Sequence, residues 1–182
     1  MTEVFLRRLS RWQAEAQREA FADLYVESYP GAQGEEFHSR QSFLRRFAEH
    51  VQHPGFDMTI AGDPALVGFA YGFPPDRGGE WWQGFVGGVP QDLEEHTASG
   101  QVFGVVELLV LPSHRRLGVA GRLQDMLLSR SDAAVASVLV ETPNVPALAA
   151  YREWGWSKNG EVHRRHDHVL TVLESWSRSL AD

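Results

Sequence analysis

The stretch Val105–Arg130, VVELLVLPSHRRLGVAGRLQDMLLSR, limits what this chain can fold into more than any other. Its opening run is apolar except for Glu107, the pattern of a strand buried on both faces. Pro112 ends the ladder, because proline has no N–H to donate. A basic turn, Ser113-His114-Arg115-Arg116, leads to Gly118, Ala120 and Gly121, three residues of minimal bulk. From Leu117 onward the apolar positions recur at helical spacing, with Ala120, Leu123 and Leu127 in line and Val119 and Met126 beside them. The expectation is a strand, a basic turn, and a helix whose first turn is nearly bare of side chains. A helix N-terminus carries unpaired N–H groups and partial positive charge, so a pyrophosphate can rest directly on those amides.

Two other readings compete for this loop. A Rossmann dinucleotide site needs G-x-G-x-x-G in a tight turn, with an acid about 20 residues later. Glu141 stands near that distance, but Gly118-Val119-Ala120-Gly121-Arg122-Leu123 lacks two of the three glycines in register. The turn from Pro112 to Arg116 is also too long for it. The plainer reading is an ordinary strand–turn–helix, with small residues for packing.

The spacing is more particular than glycine richness. Arg115-x-x-Gly118-x-Ala120, preceded by Val110-x-Pro112, resembles the acyl-CoA pyrophosphate loop of the GNAT superfamily of N-acyltransferases. A second block, Asn144-x-x-Ala147-x-x-x-Tyr151-x-x-x-Gly155-Trp156, resembles the motif that follows the loop in that superfamily. The likeness covers the C-terminal half well, and residues 1–100 fit it by element order. It implies one mixed α/β domain of α+β character over residues 1–182. Its central sheet would be mixed, largely antiparallel and splayed, of about six to seven strands flanked by about four helices. It implies acyl-CoA, with acetyl-CoA first, as co-substrate. The cofactor contacts would come from Leu109, Val110, Leu111, Arg115, Arg116, Leu117, Gly118, Val119, Ala120, Gly121 and Arg122. Asn144, Ala147, Tyr151 and Trp154 would add to them from the second block. No metal is expected, and the likeness is compatible with a homodimer.

Composition narrows the partners. At 182 residues the chain suffices for one domain with its own core. A net charge of −7 with no basic face argues against nucleic acid and is compatible with an amine-bearing substrate. Cysteine is absent, which removes disulfides, thiolate nucleophiles and Cys–zinc sites together. No apolar run approaches a membrane span, and MTEVFLRRLS lacks a signal-peptide core. The cytoplasm is the default location.

Taken in order, Val4-Phe5-Leu6 reads as a short strand. Ser10 is placed to cap an amphipathic helix over Trp12–Ser28, stopped by Tyr29-Pro30-Gly31. Phe37–His53 repeats the pattern through Phe37, Phe43, Leu44, Phe47 and Val51. A hairpin pairs Met58–Ala61 with Leu66–Tyr71 across Gly62-Asp63-Pro64. Pro74–Gly100 is the least regular part and holds Trp81-Trp82. Neighbouring strand residues point to opposite faces, so one of the pair should border a ligand cleft or a second layer. The alternative is that both tryptophans pin a long loop to the body. A strand over Ala134–Val140, a helix over Pro146–Trp154 capped by Asn144 and ended by Gly155, and a final hairpin from Trp156 to Trp176 follow. His163-Arg164-Arg165-His166-Asp167-His168 falls where the hairpin should turn. Imidazoles invite a metal, but two arginines would repel one, so a solvated tip is expected.

Acyl transfer to an amine needs a proton acceptor, a donor to the tetrahedral oxyanion and a proton for the departing thiolate. By the family motif Tyr151 takes the last task; a phenol of pKa ~10 stays protonated at neutral pH. As a residue alone it also fits a core. Glu107 is the carboxylate out of place, on a face shared with Val105, Leu109 and Leu111, where an acid needs a cleft or a partner. It is the candidate base, with a buried salt bridge to an arginine as the alternative and Glu141 as second candidate. Trp81, Trp82, Glu107 and Glu141 are the candidate acceptor contacts. The chemistry implied is transfer from acyl-CoA to a primary amine by direct attack in a ternary complex. The acceptor stays open: aminoglycoside-like amine, polyamine, amino acid, or a protein N-terminus or lysine. A non-catalytic acyl-CoA-binding or regulatory domain of the same fold is the rival.

Overall fold

One strand is shared between two compact units in the computed structural model of this protein, which describes residues 3–29 and 36–180. The chain begins with β1 (Phe5–Leu9), α1 (Arg11–Ala16), α2 (Arg18–Ser28) and α3 (Glu36–His50). Next come β2 (Asp57–Asp63), β3 (Ala65–Phe73), a 3-10 turn at Glu80–Trp82 and α4 (Gln91–Ala98). The shared strand is β4 (Val102–Val110), followed by α5 (Val119–Leu128), β5 (Val135–Glu141) and α6 (Val145–Glu153). β6 (Ser157–His166) and β7 (Val169–Ser179) close the chain. The hydrogen-bonded order of strands is β1-β2-β3-β4-β5-β7-β6. The β4–β5 pair is parallel, whereas β1–β2, β2–β3, β5–β7 and β6–β7 are antiparallel. This is the mixed, largely antiparallel sheet expected. Among the described residues no helix is long and apolar enough to cross a membrane.

The first unit comprises Met1–Phe73 and Val106–Arg130. Ser10 opens α1 with a capping box: its Oγ accepts from Gln13 N at 3.1 Å, and Gln13 Oε1 accepts from Ser10 N at 2.9 Å. The helix expected over Trp12–Ser28 is two helices, broken at Gln17 (φ −105°). α1 packs on β1 and β2 while α2 packs on α3 and β3, so the break lets each half follow its own strands. Pro30 and Gly31, the expected stop, and the Phe37 side chain lie outside the described residues. One sheet face buries an aromatic cluster in which Phe21, Phe43, Phe47, Phe69 and Tyr71 are at most 1% exposed. Their rings meet at centroid distances such as 5.1 Å for Phe21–Phe69 and 5.4 Å for Phe47–Tyr71. α5 packs on β2 and β3, where Thr59 Oγ1 donates to Leu123 O at 3.1 Å. Gly68 permits this closeness, since a Cβ there would stand 2.9 Å from Leu109 O and 3.3 Å from Leu123 Cδ1.

The second unit comprises Pro74–Val105 and Ser131–Asp182. Its β4–β5 register runs from Val102↔Val135 to Val105↔Val138 and stops there, though both strands continue. β7 lies antiparallel to β5 on one side and to β6 on the other. The final hairpin turns more tightly than expected. His163–His166 belong to β6, and only Asp167 (φ 48°) and His168 (φ 66°) form the turn. Two successive left-handed residues match the twist of a two-residue hairpin, so four residues expected in a turn pair as strand. α4 was not anticipated, because QDLEEHTA offers only Leu93 and Thr97 as buried positions. With α4 and the break at Gln17, the helices number six among the described residues, against about four expected.

The ring cluster should carry much of the first unit's stability. Phe47→Ala empties a site touched by several rings and should cost about 3–5 kcal/mol in urea denaturation. A loss below about 1 kcal/mol would show that the cluster closes over the gap and is not tightly packed.

Candidate active site

The loop leaving β4 is built by its own hydrogen bonds. Leu111 N donates to Val67 O at 2.8 Å, and Pro112–His114 make a 3-10 turn in which His114 N donates to Leu111 O at 2.9 Å. His114 Nε2 lies 2.9 Å from Asp63 Oδ2, and its Nδ1 lies 2.8 Å from Ser113 Oγ. Arg115 Nε donates to Val110 O and its Nη2 to Ser28 O, each at 3.0 Å. The Arg115 guanidinium therefore shapes the loop, whatever else it touches. Arg116 (φ 64°) and Gly118 (φ 77°) both take the left-handed conformation, which glycine adopts at no steric cost.

Gly118 is the N-cap of α5, with no side-chain cap and no acid in the first turn. A Cβ built on it meets nothing within 4 Å. The first intrahelical bond is Arg122 N to Gly118 O, 3.1 Å. The amides of Val119, Ala120 and Gly121 precede it and by helix geometry have no acceptor inside the helix. Val119 is buried and anchors the turn, Leu117 is 65% exposed, and Arg122 is exposed with Nη2 3.4 Å from Val4 O. The expected bare, positive helix start is what the backbone presents.

Glu107 lies on the same strand, three residues before Val110. Its carboxylate is 18% exposed, and Arg46 Nη2 of α3 stands 3.8 Å from its Oε1. The alternative of an arginine partner is thus realised, at a spacing longer than a hydrogen bond. Arg46 Nη1 donates to Ser42 Oγ at 2.8 Å, and its guanidinium lies 5.4 Å above the Tyr25 ring. Tyr71 Oη, deeply buried, is 2.8 Å from His50 Nδ1. Burial pushes the Tyr71 phenol well above its ordinary range, and the charge of Glu107 adds to that. Burial, then the charge of Arg46, lowers His50 from its usual value. The sequence carried no sign of Arg46 and Tyr71 as neighbours of Glu107, or of His50 as the partner of Tyr71. Arg45-Arg46 reads as a solvated basic pair, and Tyr71 as one more core position of a strand.

The remaining candidates belong to the second unit. Tyr151 is 4% exposed, edge-on to Trp154 at 5.3 Å and to Trp156 at 5.0 Å. Asn144 is the N-cap of α6, its Oδ1 accepting from Ala147 N at 3.3 Å. Gly155 (φ 86°) follows the helix in the expected left-handed conformation. Glu141 is exposed at the end of β5. Trp81 and Trp82 lie in a 3-10 turn, so the alternation argument for a strand does not apply to them. Trp82 is 3% exposed and donates from Nε1 to Thr97 Oγ1 at 2.8 Å, a packing role against α4. Trp81 donates to Ser137 Oγ at 2.9 Å and covers Gly104, where a Cβ would stand 3.0 Å from its ring. Arg164 Nη2 holds the Trp81 carbonyl at 2.7 Å. His163 Nε2 is 3.2 Å from Glu161 Oε2; among the described residues no three His, Asp or Glu side chains gather as a metal site.

The two loop arginines should separate in experiment. Arg115→Met leaves two carbonyls without their donor and should cost about 1–3 kcal/mol of stability by chemical denaturation. Arg116→Met should stay within about 0.5 kcal/mol of the parent, the usual range at a surface position. Equal losses would remove the shaping role from Arg115.

Among solved structures, NAA60 of Arabidopsis thaliana in complex with acetyl-CoA superposes with a TM-score of 0.65 at 14% identity, covering 98% of this chain and 99% of that one. A GNAT-family acetyltransferase from Streptococcus pneumoniae gives 0.62 at 8% identity, covering 98% and 100%. Mutant forms of the spermidine/spermine N-acetyltransferase SpeG from Vibrio cholerae give 0.58 at 14%, covering 97% and 95%. These likenesses show the fold. No curated protein matches the chain. The family model described as "Acetyltransferase (GNAT) family" matches residues 18–156, a span that includes the pyrophosphate-type loop, Glu107 and Tyr151. The chain belongs to the GNAT acetyltransferase family.

Proposed function

We propose that this protein transfers an acetyl group from acetyl-CoA to a primary amine by direct attack in a ternary complex. The observation that carries this reading is the start of α5. Gly118 caps it in the left-handed conformation, with open space at the Cβ position, no side-chain cap and no acid in the first turn. Such a terminus suits a pyrophosphate, with Arg116 and Arg122 as charged neighbours. Leu109, Val110 and Leu111 would supply backbone to the thiol-bearing arm, and Ala147 and Trp154 the contacts of the second block. NAA60, of the same fold, has been solved with acetyl-CoA.

An ammonium has no lone pair to attack with, so its proton must leave first. Glu107 is a carboxylate only partly withdrawn from solvent, able to accept that proton directly or through a water. The free amine then adds to the thioester carbonyl carbon. As the tetrahedral adduct collapses the C–S bond breaks, and the thiolate takes the Tyr151 hydroxyl proton. The adduct nitrogen gives up its second proton to solvent, from which the Tyr151 phenolate is reprotonated. Trp154 and Trp156 pack edge-to-face with the Tyr151 ring, which supports a fixed place for the phenol. Glu141 is the second candidate for the base, and Trp81 for a wall of the acceptor site.

Gly118→Glu adds bulk and negative charge where the pyrophosphate would sit. Isothermal titration should show acetyl-CoA affinity lost in a variant that remains folded, and unchanged affinity would refute the site. In a thiol-release assay Tyr151→Phe should retain acetyl-CoA affinity and lose roughly 10²–10⁴-fold in kcat. Glu107→Gln should lower kcat/KM for the amine at neutral pH and recover part of it as rising pH frees the amine. Parent-like rates in both variants would show that neither side chain carries a proton transfer. A protein that binds acetyl-CoA and releases no thiol with any amine would instead favour a non-catalytic acyl-CoA-binding domain.

A further inference from the structure

Glu107 and Arg46 form a pair of opposite charges that the transfer reaction does not require. A base needs only the carboxylate, and a cation beside it competes with the incoming ammonium for the same charge. Arg46 does not clamp Glu107, because its Nη2 stands 3.8 Å from Oε1, beyond a hydrogen bond. Nor is it withdrawn from solvent: the Arg46 side chain is 40% exposed, against 18% for Glu107. It is held in place from its other side, by Ser42 Oγ at 2.8 Å and by the Tyr25 ring. A guanidinium has five N–H donors in a planar fork, of which Ser42 takes one.

The surroundings keep this pair distinct. Tyr71 is neutral over the working pH range because burial raises its phenol, and burial lowers His50. Glu107 and Arg46 both act on the Tyr71 hydroxyl, so the two charges face one small region of the first unit. A carboxylate and a guanidinium side by side, each partly open to solvent, form the complement of a small zwitterion. Their separation is comparable to that between the ammonium and carboxylate of an α-amino acid.

We propose that the acceptor is a short zwitterionic amine of the α- or β-amino-acid class, its ammonium directed to Glu107 and its carboxylate taken by Arg46. Arg46 is then a specificity-determining residue. This rests on the transfer reading above, and it turns the Glu107–Arg46 pair from a static ion pair into one that opens as the substrate's two charges replace each partner. A polyamine, carrying only cations, would face Arg46 as a like charge.

The test uses matched acceptors that differ by one carboxylate: phenylalanine against phenethylamine, leucine against isoamylamine, lysine against cadaverine. Each is assayed by thiol release from acetyl-CoA with the parent, Arg46→Gln and Arg46→Lys. The parent should show a KM for the carboxylated member lower by roughly 10- to 100-fold, the worth of one charge-assisted hydrogen bond. Arg46→Gln should erase that difference by raising the KM of the amino acid and not that of the simple amine. Arg46→Lys should restore part of it, and acetyl-CoA affinity by titration should be the same in all three. Equal use of both members by the parent, or an equal effect of Arg46→Gln on both, overturns the proposal. Thiol release with none of these six amines but with a polyamine, an aminoglycoside or a peptide amine overturns this inference alone. Release with none of all these acceptors, while acetyl-CoA still binds, overturns the transfer reading with it.

Discussion

Everything in this molecule depends on β4 being one strand with two kinds of surroundings. Val102–Val105 are all buried and paired in register with β5, whereas Val106, Glu107 and Leu108 are only half-buried before Leu109 and Val110 are covered again. A carboxylate deep in a fully paired strand would bear a desolvation cost of several kcal/mol. Glu107 stands in the dip instead, where solvent and Arg46 both reach it. The same strand then delivers its last carbonyl, Val110 O, to Arg115, so the ladder that ends at Val110 also sets the shape of the loop beyond it.

That loop shows how backbone conformation takes over from side chains. Arg116 and Gly118 turn the chain through left-handed conformations, and α5 begins with no residue to satisfy its leading amides. In most helices a serine, threonine or aspartate would cap them, as Ser10 does for α1 and Asn144 for α6. α2 and α4 also start without a side-chain cap, but each carries at least one acid in its first turn, whereas α5 has neither a cap nor an acid there.

The parts legible in the sequence are those governed by local rules. Val105–Arg130 shows its strand, proline stop and helix period directly, and Asn144 and Gly155 bound α6 by capping chemistry alone. Legibility fails where distant segments decide. The break at Gln17 reflects which strands each half-helix covers, and nothing in QAEAQREAF announces it. α4 hides because two buried residues in eight make no readable stripe. Trp81 and Trp82 mislead because a 3-10 turn spaces its side chains differently from a strand. Arg46 is silent for a simpler reason: its partner Glu107 is sixty-one residues away, and a charge pair between a helix and a distant strand leaves no mark on either neighbourhood.

The interleaving of the two units carries a consequence for biosynthesis. Each is assembled from two separated segments, Met1–Phe73 with Val106–Arg130 and Pro74–Val105 with Ser131–Asp182. Loop-closure entropy must be met before such distant contacts repay it, so folding is governed by long-range pairing and is slow for the chain's size. On the ribosome, β3 emerges with its outer edge bare and waits for the Val106–Val110 half of β4 to be translated. During that interval the nascent chain displays an apolar strand edge, the kind of surface that chaperones hold and that aggregates recruit.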